Sequence, residues 1–144
     1  MDIHFREVEV KDRDFLLKAN EEINLLSGLN DSCFEKNIEQ DLFENKVCKA
    51  IIAEVGERSV GFVLYSYIYW ANCGKGIYLS QAYVQQEFRQ QGVLKMLLQE
   101  IERYEKDCSF ITNLVGTENK AMLGSMEKLN FKSSNLITHY RMIK

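Results

Sequence analysis

The chain has 144 residues, of which 46% are hydrophobic and 27% are charged, and this size and composition predict a single domain over residues 1–144. The formal net charge is −3 and the sequence has no basic stripe, which argues against a nucleic-acid partner. The run Val60–Ala71 is too short to span a bilayer, and the N-terminus is charged from its second residue. We therefore expect a cytoplasmic protein without a membrane partner.

The cysteines and histidines form no metal-binding pattern. Four cysteines stand far apart with no Cys-x-x-Cys pair, and the only histidines are His4 and His139. A zinc site needs such ligands in clusters. We expect reduced thiols, no disulfide framework and no metal.

The N-terminal third predicts one strand and two helices. Residues Ile3–Val8 alternate as a strand does. A helix begins near Asp12 and stops at Gly28, and a second follows Ser32, which forms a capping box with Glu35. The apolar faces of these helices consist of Phe15, Ala19, Ile23 and Leu26 in the first, and Phe34, Ile38 and Leu42 in the second.

The middle of the chain predicts a sheet. Val47–Val55 and Val60–Trp70 are β-rich runs joined by a hairpin turn at residues 56–59. The loop Ala71–Gly76 then leads to a third strand, Ile77–Val84. The remaining predicted elements are a helix Gly92–Lys106 with Val93, Leu97, Ile101 and Tyr104 facing inward, a strand Ser109–Val115, a helix Asn119–Leu129 and a last strand Leu136–Ile143. This order predicts a mixed α/β fold around one central sheet.

A glycine stands at the start of the predicted helix Gly92–Lys106. Glycine inside a helix costs about 1 kcal/mol relative to alanine, so its presence predicts a need for the space. The first turn of a helix leaves four N–H groups unpaired, and the helix dipole favours negative charge there. Gly92 is therefore a candidate for close approach of a phosphate. A glycine that fills a packing gap is the alternative when it is considered alone.

The neighbouring residues favour the phosphate interpretation. The run Arg89–Leu94 resembles the Arg/Gln-x-x-Gly-x-Gly/Ala signature of the GNAT superfamily of acyl-CoA-dependent N-acetyltransferases. Residues Asn119–Phe131 resemble a second signature of that family, an asparagine that opens a helix ending in a Glu-Lys-Leu-Gly-Phe-like turn. The order of elements matches along nearly the whole chain, and Cys73–Ser80 looks most like the diamine acetyltransferase branch.

The resemblance implies a mixed, mostly antiparallel sheet flanked by helices, in which the parallel strands Ile77–Val84 and Ser109–Val115 splay apart. It implies acetyl-CoA as co-substrate, and the family often forms homodimers. The pantetheine arm would bond to main-chain groups near two strand residues, the pyrophosphate would lie on the following turn, and an asparagine would reach the pantetheine. The implied cofactor-binding residues are Ala82, Val84, Arg89, Gln90, Gln91, Gly92, Val93, Leu94 and Asn119.

Two catalytic positions of the family pattern are substituted in this chain. The diamine branch has a glutamate base on the central strand, where this sequence has Ser80 followed by Gln81, neither of them a strong base. The position of the family's tyrosine acid falls on Met126, which has no proton to donate. The possible substitutes, for each of which a structural role is the better explanation, are Tyr83, Tyr140 and Glu87.

The acceptor side is less defined by the sequence. Tyr69 and Trp70 could stack on a cationic or sugar-like substrate near the mouth of the cleft, or simply cap the core. Glu21 and Glu22 either face the acceptor or belong to a solvated helix face. We predict an acetyl-CoA-dependent N-acetyltransferase that acts on the primary amine of a small molecule by direct attack in a ternary complex. The alternative, motivated by the missing base and acid, is a non-catalytic or weakly active acyl-CoA-binding or regulatory module.

Overall fold

The structure, a computed structural model, describes residues 1–27 and 33–143; the side chains of residues 26 and 27 lie outside the description. Within these described ranges, five strands form one sheet in chain order. Neighbouring strands are antiparallel except the last two, which are parallel. The strands are β1 (Ile3–Glu7), β2 (Lys49–Val55), β3 (Arg58–Trp70), β4 (Gly74–Val84) and β5 (Ile111–Asn113).

Helices cover both faces of this sheet, which confirms the predicted fold class. They are α1 (Arg13–Ser27), preceded by a 3-10 turn Val10–Asp12; α2 (Phe34–Asn37), which continues as a π-helix Ile38–Glu44; α3 (Val93–Tyr104), preceded by a 3-10 turn Gln86–Phe88; and α4 (Lys120–Lys128). Within the described ranges, no helix combines the length and apolar character needed to cross a bilayer.

The alternation of side chains along β3 creates one core on each face of the sheet. Phe62 and Leu64 point to the face covered by α1 and α2, while Val63 and Tyr65 point to the face covered by α3. Full burial of each large apolar side chain stabilises the fold by about 1.5–3 kcal/mol. The two cores together fix the orientation of β4, which lies beside β3 along its whole length.

Several predicted boundaries are corrected by the structure. The first hairpin has a two-residue turn, because Val55 already pairs with Arg58, and Gly56 takes the left-handed φ of +62° that this tight turn requires. The strand predicted to start at Ile77 starts at Gly74, which pairs with Trp70. The next two elements, α3 and β5, are shorter at both ends than predicted. The predicted stop at residue 28 and the cap at residue 32 lie outside the described residues.

The last turn of α3 also differs from the prediction. Tyr104 was expected to face inward, but it is 44% exposed, and Glu105, which follows the helix, is buried at 7%. The helix ends at Tyr104, so the 3.6-residue period no longer decides which side chain points to the core.

The predicted last strand, Leu136–Ile143, is wrong for the single chain. After α4 the chain turns at Asn130, which has φ of +65°, and Phe131 packs against the core on the α3 side. Residues 132–143 then form no strand and are exposed. A strand exists only in a ladder with a neighbour, so alternating apolar residues alone do not produce one.

Candidate active site at the splayed strands

A cleft opens where β4 separates from β5. The two strands pair only at Ile77–Ile111, Tyr78–Thr112 and Leu79–Asn113, whereas β4 continues to Val84. Immediately after the last pair, the register of β4 with β3 skips Ser80. This extra residue is a β-bulge, which bends and twists the strand that contains it. The bulge therefore accounts for the separation of β4 from β5.

Beyond the bulge, successive side chains of β4 face opposite cores. Ala82 and Val84 pack on the α3 side, while Tyr83 packs on the side of α1 and α2. The Val84 carbonyl oxygen accepts a hydrogen bond of 2.7 Å from Arg89 Nε. One of the two main-chain positions predicted for pantetheine thus already has a side-chain partner in this structure.

The turn before α3 has the backbone of an anion-binding loop. Gln90 and Gly92 have φ of +60° and +82°, and Gly92 is the N-cap of α3. The left-handed φ gives a second reason for glycine at this position, which the sequence did not reveal. A Cβ atom on Gly92 would meet no atom within 4 Å, so the space above the turn is open. The N–H groups of the first helical turn lack intrahelical acceptors and suit the phosphates of CoA.

The other residues of the predicted signature attach this turn to the core and to the preceding loop. Val93 is buried, and Leu94 packs against the core on the α3 side, so leucine fits where the family pattern has a small residue. Gln91 Nε2 donates 2.9 Å to the main-chain oxygen of Glu87. Glu87 itself pairs with Arg58, which gives it a structural contact within the loop.

A charged network joins α1 to this loop. Glu22 accepts a hydrogen bond of 2.8 Å from Arg89 Nη2 and one of 2.5 Å from the hydroxyl of Tyr83. Burial and the contact with Glu22 raise the pKa of Tyr83 to about 12, while the hydrogen bonds from Tyr83 and Arg89 hold the pKa of Glu22 below its usual value. At neutral pH the Tyr83 hydroxyl therefore keeps its proton and donates it in the hydrogen bond to Glu22, which makes Tyr83 a poor acid for a leaving thiolate.

The two residues at the predicted base position differ in their contacts. Ser80 Oγ donates 3.0 Å to the main-chain oxygen of Leu64. Gln81 Nε2 donates 2.9 Å to Oδ1 of Asn20, whereas Gln81 Oε1 is buried and has no hydrogen-bond partner among the described residues. Buried polar atoms in folded proteins are nearly always paired, so this oxygen is a candidate contact for a ligand.

Gln81 and Ser80 border a pocket of about 230 Å³ between β4 and the second helix. Its other lining residues are Phe34, Asn37, Ile38, Asp41, Cys48 and Leu64. The π-helix Ile38–Glu44 contributes part of this wall, and such segments occur frequently at functional sites. Burial, and to a smaller extent Asp41, raises the pKa of the Cys48 thiol, so Cys48 is not an activated nucleophile.

Two predicted residues on the far side of the cleft have structural contacts. Asn119 is the N-cap of α4, and its Oδ1 accepts 3.1 Å from the N–H of Met122. Met126 is buried, and its sulfur accepts 3.0 Å from Asn113 Nδ2 at the end of β5. Met126 thus fixes α4 against β5, which is consistent with its inability to act as an acid.

The structure separates other sequence candidates from the cleft. Tyr69 and Trp70 lie at the opposite end of β3, where Trp70 pairs with Gly74 and stacks on Phe110 at 4.4 Å. The expectation that they line the mouth is therefore wrong, because the antiparallel register puts them beside the start of β4. Tyr140 is 85% exposed in residues 132–143, and Glu21 is exposed on α1.

The sequence analysis missed three residues that border the Gln81 pocket or contact Gln81 itself. These are Asn20, Asn37 and Asp41. Asn20 is buried on α1 one turn after the buried Leu16, and a polar residue at a buried helical position was the available signal. Asn37 and Asp41 gave no such signal, because their approach to β4 depends on the π-helix.

The comparisons with known proteins agree with this geometry. The model of the Acetyltransferase (GNAT) family matches residues 16–131, which is more than half of the chain. The chain belongs to the GNAT acetyltransferase family. Family membership supports acetyl transfer as the general activity and acetyl-CoA as the donor. No curated protein matches the chain.

Solved structures share the fold of this GNAT protein over almost their whole length. A possible acetyltransferase from Clostridium difficile 630 has 21% identity, 99% coverage of both chains and a TM-score of 0.81. AAC(6')-Iy, in complex with the bisubstrate analog CoA-S-monomethyl-acetylneamine, has 18% identity, 99% coverage of both chains and a TM-score of 0.78. A ribosomal-protein-alanine N-acetyltransferase from Brucella melitensis biovar Abortus 2308 has 13% identity, 99% coverage of this chain, 100% of the other and a TM-score of 0.77. These identities establish the fold alone, and the diamine branch is not confirmed.

Proposed function

We propose that this protein is an N-acetyltransferase that transfers the acetyl group of acetyl-CoA to the primary amine of a small molecule in a ternary complex. The observation that carries the proposal is the bulge at Ser80. The bulge opens the donor cleft on one side of β4. The pocket of about 230 Å³ that is bordered by Ser80 and Gln81 lies beside this bulge. Donor and acceptor sites that meet at one point allow direct attack without a covalent enzyme intermediate. A single cytoplasmic domain over residues 1–144 is part of this proposal.

The donor would be held mainly by main-chain groups. The turn at Gln90–Gly92 and the first N–H groups of α3 offer donors to the pyrophosphate. The edge of β4 from Ser80 to Val84 has lost its β5 partner, so the amide groups of pantetheine can pair with it as a strand would. Arg89 would need to release the Val84 oxygen if that carbonyl is used.

The acceptor amine would be oriented by Gln81. A rotation of the Gln81 amide would bring its buried Oε1 atom to the pocket, where it can accept a hydrogen bond from the amine. Asp41 and Asn37 on the pocket wall favour a cationic or polar substrate. The nitrogen forms a bond to the thioester carbonyl carbon, the carbon–sulfur bond breaks, and the electron pair leaves with sulfur. The excess proton of the amine passes to water, because neither Ser80 nor Gln81 is a base. Thiolate is a good leaving group, so a dedicated acid is not required.

The acceptors to test first follow from the chemistry of the pocket and the resemblance of Cys73–Ser80. Diamines are favoured by that resemblance, and amino sugars are suggested by the ligand of the AAC(6')-Iy structure. The carboxylates of Asp41 and Glu22 would attract either class. Glu22, however, is already paired with Arg89, so Asp41 is the better candidate.

Calorimetric titration with CoA tests the donor site. Gly92→Val should abolish most of the binding, because the side chain would occupy the open space above the turn. The matched control is Gly56→Val, since Gly56 also has a left-handed φ and open surroundings but lies in the hairpin between β2 and β3. Both variants should lose about 1–2 kcal/mol of stability through the left-handed backbone, but only Gly92→Val should lose CoA affinity. Equal CoA binding by both folded variants would contradict the assignment of the turn.

A further inference from the structure

The side chain of Arg89 contacts both sides of the sheet edge at which acetyl transfer is proposed. Its Nε atom donates a hydrogen bond to the Val84 carbonyl oxygen, on the part of β4 proposed to pair with pantetheine. Its Nη2 atom donates to Oε1 of Glu22 on α1, and its Cζ atom lies 5.8 Å from the centre of the Tyr83 ring. Arg89 therefore covers one carbonyl of the CoA cleft and one carboxylate of α1 at the same time.

These contacts of Arg89 are of a kind that a stronger anion can displace. Arg89 and Glu22 are 41% and 40% exposed, and exposed ion pairs contribute little to stability. Arg89 immediately precedes the turn at Gln90–Gly92, where the pyrophosphate would lie. A guanidinium forms paired, charge-assisted hydrogen bonds with phosphate. CoA would therefore offer Arg89 a better partner than Glu22, while pantetheine takes over the Val84 oxygen.

Loss of Arg89 would free one oxygen of Glu22 without displacing its carboxylate. The Tyr83 hydroxyl donates to Oε2, whereas Arg89 donates to Oε1. The hydrogen bond from Tyr83 is the largest cause that lowers the pKa of Glu22, so this carboxylate stays ionised at neutral pH after Arg89 leaves. A fixed, charged oxygen atom would then face solvent and could bind a cation.

The carboxylate of Glu22 is on the same side of β4 as the Gln81 amide. Gln81 contacts Asn20 of α1, and Tyr83 contacts Glu22 of the same helix. Gln81 and Tyr83 are two residues apart in one strand, which separates their main-chain positions by about 7 Å. A small acceptor whose amine lies at Gln81 could therefore place a second cation beside Glu22.

We propose that Arg89 is a latch between the two substrates: CoA draws its guanidinium to the phosphates, and the freed Oε1 atom of Glu22 then binds a second cation of the acceptor. This role rests on the proposed acetyl transfer and adds to it a preference for acceptors with two positive charges. In the free protein such an acceptor competes with Arg89 for Glu22. By reciprocity, CoA and the acceptor raise each other's affinity by the same factor.

Calorimetric titration with CoA tests the first half of the latch. Glu22→Gln keeps an oxygen for the Tyr83 hydroxyl but removes the charge that holds Arg89. CoA should therefore bind this variant about 2- to 5-fold more tightly than the parent, the equilibrium equivalent of an exposed ion pair. A residue that only stabilised the loop would give weaker binding or no change when replaced. In an Arg89→Gln background the same change should have no effect, because no guanidinium is left to release.

The matched control is Glu21→Gln, which removes the neighbouring exposed carboxylate of α1 and should leave CoA affinity unchanged. Circular dichroism checks that each variant is folded. Equal or weaker CoA binding by Glu22→Gln would overturn the latch. A gain of the same size in Glu21→Gln would also overturn it, since general repulsion of the CoA phosphates would then explain both. So would a gain that persists in the Arg89→Gln background.

Diaminobutane, which has two amines, and butylamine, which has one, test the second half of the latch. Each is titrated into protein saturated with CoA, which has no acetyl group to transfer. Diaminobutane should bind the parent about 10-fold more tightly than Glu22→Gln, close to the lower end for a hydrogen bond to a charged group, whereas butylamine should bind both equally. Without CoA the advantage of the parent should disappear, because Arg89 then holds Oε1.

An advantage of the parent that is the same with and without CoA would overturn the coupling through Arg89. No advantage for diaminobutane in the presence of CoA would overturn the role of Glu22. Failure of the proposed acetyl transfer is a different result, because it is measured as thiol release from acetyl-CoA, whereas the latch is measured by binding of CoA and of unreacted amines.

Discussion

Two polar sites of the sheet treat buried groups in opposite ways. At the first, on the face covered by α3, the buried carboxylate of Glu105 accepts hydrogen bonds from the hydroxyls of Tyr65 and Tyr67 and from Lys49. The second lies in the second half of β4, residues Ser80–Val84, which have no β5 partner. There the buried Oε1 atom of Gln81 has no hydrogen-bond partner among the described residues.

We infer that the polar site at Glu105 stabilises the fold and that the site at Gln81 takes part in binding. Burial alone would raise the pKa of Glu105, but the hydrogen bonds from Tyr67, Lys49 and Tyr65 outweigh it and lower that pKa. Three donors already occupy most of the acceptor sites of this buried carboxylate, which leaves it little capacity for a ligand. Gln81 has an acceptor atom without a partner among the described residues and borders a pocket, so we assign binding to the second half of β4.

Removal of the Glu105 carboxylate should have the largest effect on stability. Glu105→Ala leaves the buried hydroxyl of Tyr65 and the partly buried hydroxyl of Tyr67 without an acceptor, and we expect a loss of about 2–4 kcal/mol in the free energy of unfolding at pH 7. Urea denaturation measures this loss. CoA affinity of the folded variant should not change, because the cluster lies away from the phosphate turn.

Asp107→Asn is the matched control for Glu105. Asp107 is an exposed carboxylate near the same helix end and pairs with Lys75, so its removal should change stability little. The folded pKa of Glu105 is lowered, so its contribution is present above the ordinary glutamate pKa and is lost as the pH falls below it. A parent-to-variant difference that does not shrink in acid would contradict this role.

Removal of the free acceptor in the second half should instead affect activity. Gln81→Leu deletes Oε1, and we expect kcat/KM for the amine to fall about 10- to 100-fold, the worth of one hydrogen bond to a charged group. The Kd of CoA should stay unchanged. The control is Gln85→Leu, since Gln85 follows the same strand but contacts Arg58. Equal activity of the Gln81 variant and the parent would place the acceptor elsewhere.

The smallest expected effect concerns the hydrogen bond that links α1 to the second half of β4. Tyr83→Phe removes the hydrogen bond to Glu22 and should cost about 1 kcal/mol at pH 7. The pKa of Tyr83 is raised to about 12, so its contribution is present below the ordinary tyrosine pKa and is lost as the pH rises through 12. The stability difference between parent and variant should therefore shrink at high pH, with Tyr69→Phe as the exposed control. A constant difference would show that Tyr83 acts through packing alone.

The sequence predicted the features that depend on local pattern. The strand, turn and helix around Gly92 follow from hydrophobic periodicity and one glycine. The resemblance to the family signature implies that this turn binds the pyrophosphate of CoA. The bulge at Ser80 was not predictable, because it exists only in the register with Leu64 and Tyr65 of β3. The partners of Glu105 are similarly remote, with Lys49 lying 56 residues away in the chain. Contacts of this range follow from packing of the whole sheet, which local propensity does not encode.

The central claim is that acetyl-CoA and an amine react across Ser80 and Gln81, and thiol release tests it most directly. Purified protein is mixed with acetyl-CoA and each member of a panel of diamines, amino sugars and other small primary amines, and free CoA thiol is measured over time. We predict that at least one amine raises the release of thiol above the rate in buffer. That rate should rise with pH as the acceptor amine loses its proton, because neither Ser80 nor Gln81 can act as a base. Binding of acetyl-CoA with no amine-dependent release across the panel would contradict the account and favour a binding module.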